Sequence, residues 1–215
     1  MFSTKSLFIC NFDKRLFFFL FLNFIFATII GTISHEFGHY LIAKYLGYTS
    51  QIHYEFTSWK KTNPNQTTHP IDGFWIILGG PLESMMTGSI GLILLFVFRK
   101  SFNRKSSLNL KQWLIIFLSL FWLRQLANFV TLTVKFFITG KYSRRCDELI
   151  LAHYFHFHDW VILALTAFFA WLVLAIIVFK FIPLKQRFTF LTAGFWGGIS
   201  GYVLWLILLG KYIMP

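Results

Sequence analysis

Residues 16–46 read LFFFLFLNFIFATIIGTISHEFGHYLIAKYL, and this stretch decides the fold. From Leu16 to about Ile33 it is almost wholly apolar. A cleaved leader has an apolar segment of only about 7–15 residues, with small residues before the cut. This run is longer, so it reads as a retained transmembrane helix. Helical character continues through the polar set that begins at His35 and on to Leu46, with Gly47 as a C-terminal stop.

Four further apolar runs lie downstream, so the expected spans are 16–46, 71–98, 110–139, 160–182 and 188–209. Each exceeds the roughly 20 residues a helix needs to cross about 30 Å of hydrocarbon. Composition agrees: 56% of residues are hydrophobic, 29 are Phe and only 13% are charged. A soluble domain carries about 25% charge. These figures exclude a soluble globular domain, a disordered chain, a collagen and a disulfide-rich scaffold. Cys10 and Cys146 fit no CxxC or disulfide framework.

The expected architecture is therefore an all-α membrane protein, a single polytopic domain over 1–215. Two local features are expected within it. Gln51–Trp59 alternates and is rich in aromatic and Thr residues, as a strand would be, and Asn63-Pro64-Asn65 reads as a turn, which suggests a short β-hairpin after the first span. Gly79-Gly80-Pro81 groups three helix breakers, which suggests a broken second helix. Gly194, Gly197, Gly198 and Gly201 give the fifth span a small-residue spacing suited to close helix packing.

The net charge of +12 lies mainly between the apolar runs. Bases placed there anchor spans in the headgroups, and no basic stripe interleaved with exposed aromatics argues for nucleic acid. With the N-terminus inside, the inner segments hold Lys5, Lys14, Arg15, Arg99, Lys100, Arg104, Lys105, Lys111, Lys180, Lys185 and Arg187. The outer ones hold Lys60, Lys61, Lys141, Arg144, Arg145 and Lys211, so the positive-inside rule favours an N-terminus in the cytoplasm.

His35-Glu36-Phe37-Gly38-His39 is the segment that carries chemistry. Histidines at i and i+4 share one helical face. Together they can ligate one Zn²⁺, with the Glu between them as general base. A bare polar helix end beyond the bilayer is the plainer alternative. Zinc needs a third protein ligand. Asp147 is favoured because it can fold back after the third span, with Glu148 and Glu83 as the other candidates; Asp147 could also simply cap a helix. His153, His156 and His158 form a second group, read as headgroup contacts more readily than as metal ligands, and His53 and His69 are lone loop histidines. Arg124 lies in the middle of an apolar run and needs an interior partner, for which Glu83 and Asp147 are the candidates. It would either tie spans together or stabilise an oxyanion.

The His35–His39 motif in the first span, followed by Gly79-Gly80-Pro81-Leu82 in the second, resembles the site-2 protease family of intramembrane zinc metalloproteases. The resemblance covers roughly residues 25–155. It implies hydrolysis of a peptide bond within or beside the bilayer, in a membrane-anchored protein substrate. It also implies an Asp third ligand from a later Asn…Leu-Asp-Gly segment; here Asn128 precedes Asp147 by 19 residues without the expected Pro, Cys146-Asp147-Glu148 replaces Leu-Asp-Gly, and Ser84 stands where many members carry Asn. Asn128 would then position substrate, and Gly80 and Pro81 would offer it backbone groups. The family usually sets its active-site loop on the cytosolic side, which implies an external N-terminus. Two other readings stand beside this one: a non-proteolytic relative that binds membrane partners, and a small transporter or channel subunit. The sequence leaves the oligomeric state open.

Overall fold

The computed structural model describes residues 9–63, 67, 69–102, 107–141 and 146–215. In chain order the elements are α1 (Lys14–Tyr45), β1 (Tyr48–Ile52), β2 (Thr57–Lys61), α2 (Asp72–Val97), α3 (Arg99–Phe102), α4 (Leu110–Ser119), α5 (Leu123–Thr139), α6 (Asp147–Tyr154), α7 (Trp160–Ile176), α8 (Leu184–Tyr202) and α9 (Gly210–Ile213). Five helical stretches are long and apolar enough to cross a membrane: Lys14–Tyr45, Asp72–Val97, Leu110–Thr139, Trp160–Phe181 and Leu184–Ile213. Large apolar side chains such as Phe18, Phe26, Ile93 and Trp171 stand exposed on their outer faces. Water would penalise that surface and hydrocarbon would not.

Helix α1 starts at an N-cap, Asp13, whose carboxylate accepts the N–H groups of Arg15 and Leu16. It packs on α8, and their starts are pinned side by side, because Thr189 Oγ1 accepts from the Asp13 N–H and donates to the Asn11 carbonyl. Gly197 and Gly201 lie against Phe21, Phe24 and Thr28 of α1, where a Cβ would meet those atoms within 3 Å. Gly198, included in the expected spacing, faces open space. An aromatic core fills the same end: Phe190 packs against Phe24 and Trp113 with ring centroids 5.4 and 5.9 Å apart.

The hairpin forms where expected, with β1 and β2 antiparallel from Tyr48↔Lys61 to Ile52↔Thr57. Gln51–Trp59 is not one strand, however. It contains the turn, closed by the His53 N–H to the Phe56 carbonyl at 2.8 Å. The aromatic residues that suggested a continuous strand are turn and surface groups. In the Asn63-Pro64-Asn65 turn, Pro64 and Asn65 lie outside the described residues.

The expected break in the second helix is absent. Helix α2 runs unbroken through Gly79-Gly80-Pro81. Proline removes one donor, the N–H that would reach Ile77, but its neighbours keep helical geometry. The interruption falls in the third span instead, at a tight 3₁₀ turn over Leu120–Trp122 between α4 and α5. Two wider π turns, Ile177–Phe181 and Val203–Leu209, lie near the ends of the last two spans.

The two faces of the bundle differ in charge. One holds the starts of α1 and α8, the end of α7 and α3. Its described bases are Lys14, Arg15, Arg99, Lys100, Lys111, Lys180, Lys185 and Arg187, and Asp13 is its only described acid. The other holds the hairpin, the start of α2, α6 and α9, and its acids Glu55, Asp72, Asp147, Glu148 and Asp159 roughly balance Lys44, Lys60, Lys61, Lys141 and Lys211. Lys5, Arg104, Lys105, Arg144 and Arg145 lie outside the described residues.

Candidate metal centre

Helix α1 turns His35 and His39 towards α2 within its last third, nearer the hairpin face. The two helices almost touch there. A Cβ on Gly38 would overlap the Gly79 carbonyl oxygen, and one on Gly79 would lie 2.6 Å from that of Gly38. Gly80 sits under both imidazoles, and any side chain on it would collide with His39 Nε2. The Gly-Gly pair thus permits close packing below the histidines. Pro81 follows it, buried in the helix.

Each imidazole is held at Nδ1. His39 Nδ1 lies 2.7 Å from the Ile76 carbonyl, which can only accept, so the proton is on Nδ1. His35 Nδ1 lies 3.1 Å from Ser84 Oγ, whose own hydroxyl reaches the Gly80 carbonyl at 3.3 Å. Both Nε2 lone pairs are therefore free to face one point. Asp147, the first residue of α6, brings Oδ2 to the same point, 2.9 Å from His35 Nε2 and 3.3 Å from His39 Nε2. The two Nε2 atoms are 3.3 Å apart. Three acceptor atoms converging this closely repel one another unless a cation or protons lie between them. A tetrahedral zinc with bonds of about 2.0–2.1 Å separates its ligands by about 3.3 Å, so this donor set fits that ion. Among the described residues no other group of three His, Cys, Asp or Glu is placed to hold a metal.

Asp147 owes its position to its neighbour. Glu148 is fully buried and accepts from Asn128 Nδ2 of α5 at 3.1 Å and from the Cys146 thiol at 2.8 Å. Burial pushes the Glu148 carboxyl up, and the Asp147 charge adds to the rise. Successive helical residues point about 100° apart. One acid therefore faces the histidines and the other faces α5.

Glu36 is buried beside the histidines. Thr57 of β2 donates to its carboxylate at 3.2 Å and to its main-chain oxygen at 2.8 Å. Arg124 Nη2 lies 3.6 Å from Glu36 Oε1, and Nη1 donates to Thr32 Oγ1 at 3.3 Å. The interior partner expected for Arg124 therefore exists, but it is Glu36, not Glu83 or Asp147. Glu83 instead accepts from Ser34 at 2.6 Å and Thr87 at 2.9 Å. Asn128, expected to position substrate, is engaged with Glu148. His153 pairs with Asp159 at 3.4 Å, and His53 with Ser58 at 2.9 Å and the Pro215 carbonyl at 2.6 Å.

Sequence reasoning did not single out Thr57 or the Ile76 carbonyl. The first carried only a strand-like alternation, and a main-chain oxygen leaves no trace in residue identity. No protein-family model, curated protein or solved structure matches the chain.

Proposed function

We propose that this chain is an intramembrane zinc metalloprotease that hydrolyses a peptide bond, within or beside the bilayer, in a membrane-anchored protein. The convergence of His35, His39 and Asp147 around one point, with Glu36 on the next position of the same helix, carries this reading. His35, His39 and Asp147 would hold the metal, leaving a fourth position open. Zinc, if held there, would supply Lewis-acid chemistry suited to acidifying a water and polarising a carbonyl.

The chain's own residues supply the rest. Glu36 accepts the proton of the attacking water and passes it to the leaving amine. Arg124 and Thr57 hold its carboxylate from two sides, so it needs little reorientation to act. Ser84 and Ile76 keep the imidazole protons on Nδ1. Strand β2 runs past Glu36 through Thr57, so an extended substrate segment added to the hairpin edge would lie beside the base.

Metal analysis of the purified protein tests the proposal. About one zinc per chain is expected, lost in a His35→Ala/His39→Ala double variant that stays folded. Cleavage of a membrane-anchored reporter should be lost with it. A folded parent chain without zinc would leave a partner-binding relative as the better reading.

A further inference from the structure

The end of the fifth span reaches back to the tip of the hairpin. Both main-chain groups of Tyr54, at that tip, are engaged by it. The Tyr54 N–H donates to the Met214 carbonyl at 3.1 Å, and the Tyr54 carbonyl accepts from Trp205 Nε1 at 2.9 Å. His53 adds a third link: its Nδ1 donates to the main-chain oxygen of Pro215 at 2.6 Å, and its ring stacks on Phe56 with centroids 4.4 Å apart. Gly210 closes the contact, since a Cβ on it would lie 2.7 Å from the Tyr54 ring.

The wide π turn over Val203–Leu209 brings these groups together. On an α-helix, residues five apart lie about 140° round from each other. Here the Gly210 N–H reaches back to the carbonyl of Trp205, five positions earlier, and both residues meet Tyr54. Trp205 is buried in this contact. A two-stranded hairpin is marginally stable by itself, so its position depends on what grips it. Tyr48 fixes the root by its bond to Asp72 at 2.8 Å, and the last span fixes the tip. Thr57 stands three positions beyond Tyr54, and its hydroxyl meets both the carboxylate and the main-chain oxygen of Glu36. We propose that the end of the fifth span is a latch that positions the hairpin tip and, through Thr57, the carboxylate of Glu36, with Trp205 as the positioning residue. The inference rests on Glu36 serving as the base.

Two measurements on the full chain in detergent test it: hydrogen–deuterium exchange of the hairpin amides, and kcat on a membrane-anchored reporter. Trp205→Phe keeps a buried ring and removes one donor. Hairpin exchange should become about fivefold faster, the effect of one ordinary hydrogen bond. Zinc content should persist, because no ligand is touched. The kcat should fall about tenfold, short of the about 10²-fold that a 1 Å misplacement costs. Gly210→Ala, whose methyl pushes on Tyr54, should act in the same direction. Gly198→Ala, on the open side of the same span, is the control and should change neither reading. Thr57→Val separates a latch acting on Glu36 from simple support of the fold. With that hydroxyl gone, adding Trp205→Phe should lower kcat by less than about twofold more. An equal tenfold loss in both backgrounds, or unchanged hairpin exchange in Trp205→Phe, would overturn the assignment. A parent chain that binds zinc but cleaves no reporter would defeat the protease reading by itself, and the exchange measurement would still decide whether the last span holds the hairpin.

Discussion

The smallest unit with a consequence is the pair of protons on Nδ1 of His35 and His39. Their partners decide which nitrogens face the shared point. Ser84→Ala removes one partner without touching a ligand atom, and should weaken zinc affinity about 10–100-fold, measured by competition with a chromophoric chelator. Unchanged affinity would show that His35 is oriented by packing alone. Glu36→Gln tests a different role. The amide keeps the Thr57 bond and loses the base, so zinc content should persist while turnover falls by about 10²–10⁴. A folded variant that lost its zinc would instead make Glu36 a ligand. Legibility at this scale was uneven. The i, i+4 histidines and the Glu between them stood out because their spacing is local. Arg124 is recognisable in the sequence as needing an interior partner, but nothing local in the sequence singles out Glu36 among the acids. Nothing in the residue order could show that the two meet across α1 and α5.

Among the elements, α6 is the one that completes the centre, and it is only a short helix. Its N-terminal residue reaches the histidines because Glu148 is anchored to Asn128 and to the Cys146 thiol. Glu148→Gln should therefore lower zinc affinity although it touches no ligand, and by less than Asp147→Ala. Asn128→Ala should act in the same direction, and the double variant should lose less than the sum, since both loosen one contact. Additive losses, read by the same chelator competition, would mean that the two residues act separately. The boundaries of the spans were legible because apolar runs of that length have few alternatives. The continuity of α2 was not. Gly79-Gly80-Pro81 reads as a break in any soluble context, yet here the glycines are where α1 and α2 meet, and the bilayer favours keeping every other backbone bond closed. The tight turn at Leu120–Trp122 lies among ordinary apolar residues, so nothing marked it beforehand.

Across the whole molecule the unequal faces predict orientation. The basic face, with the start of α1, should lie in the cytoplasm. The hairpin, and with it the side nearer the metal centre, should then face outwards. A single cysteine at Ser58, in a chain with Cys10 and Cys146 replaced by Ser, should react with a membrane-impermeant maleimide in intact cells. Reaction only after the membrane is opened would reverse the orientation, matching the site-2 protease resemblance and opposing the charge count. The distance along the chain between the centre's two halves has another effect. His35 and Asp147 are 112 positions apart. A cation shared between them would act as a removable clasp, joining most of the first three spans in one ring. Such an ion would bind the folded chain and leave on unfolding, so it would stabilise the fold by mass action, by about 2.7 kcal/mol with free zinc at about 100 times its dissociation constant. Stripping the metal with a chelator should therefore lower the unfolding temperature by several degrees. Adding zinc back should restore it, and the Asp147→Ala chain should show no response to either step. Loading and stripping such a clasp would make the stability of the whole helical assembly track the zinc supply of its surroundings.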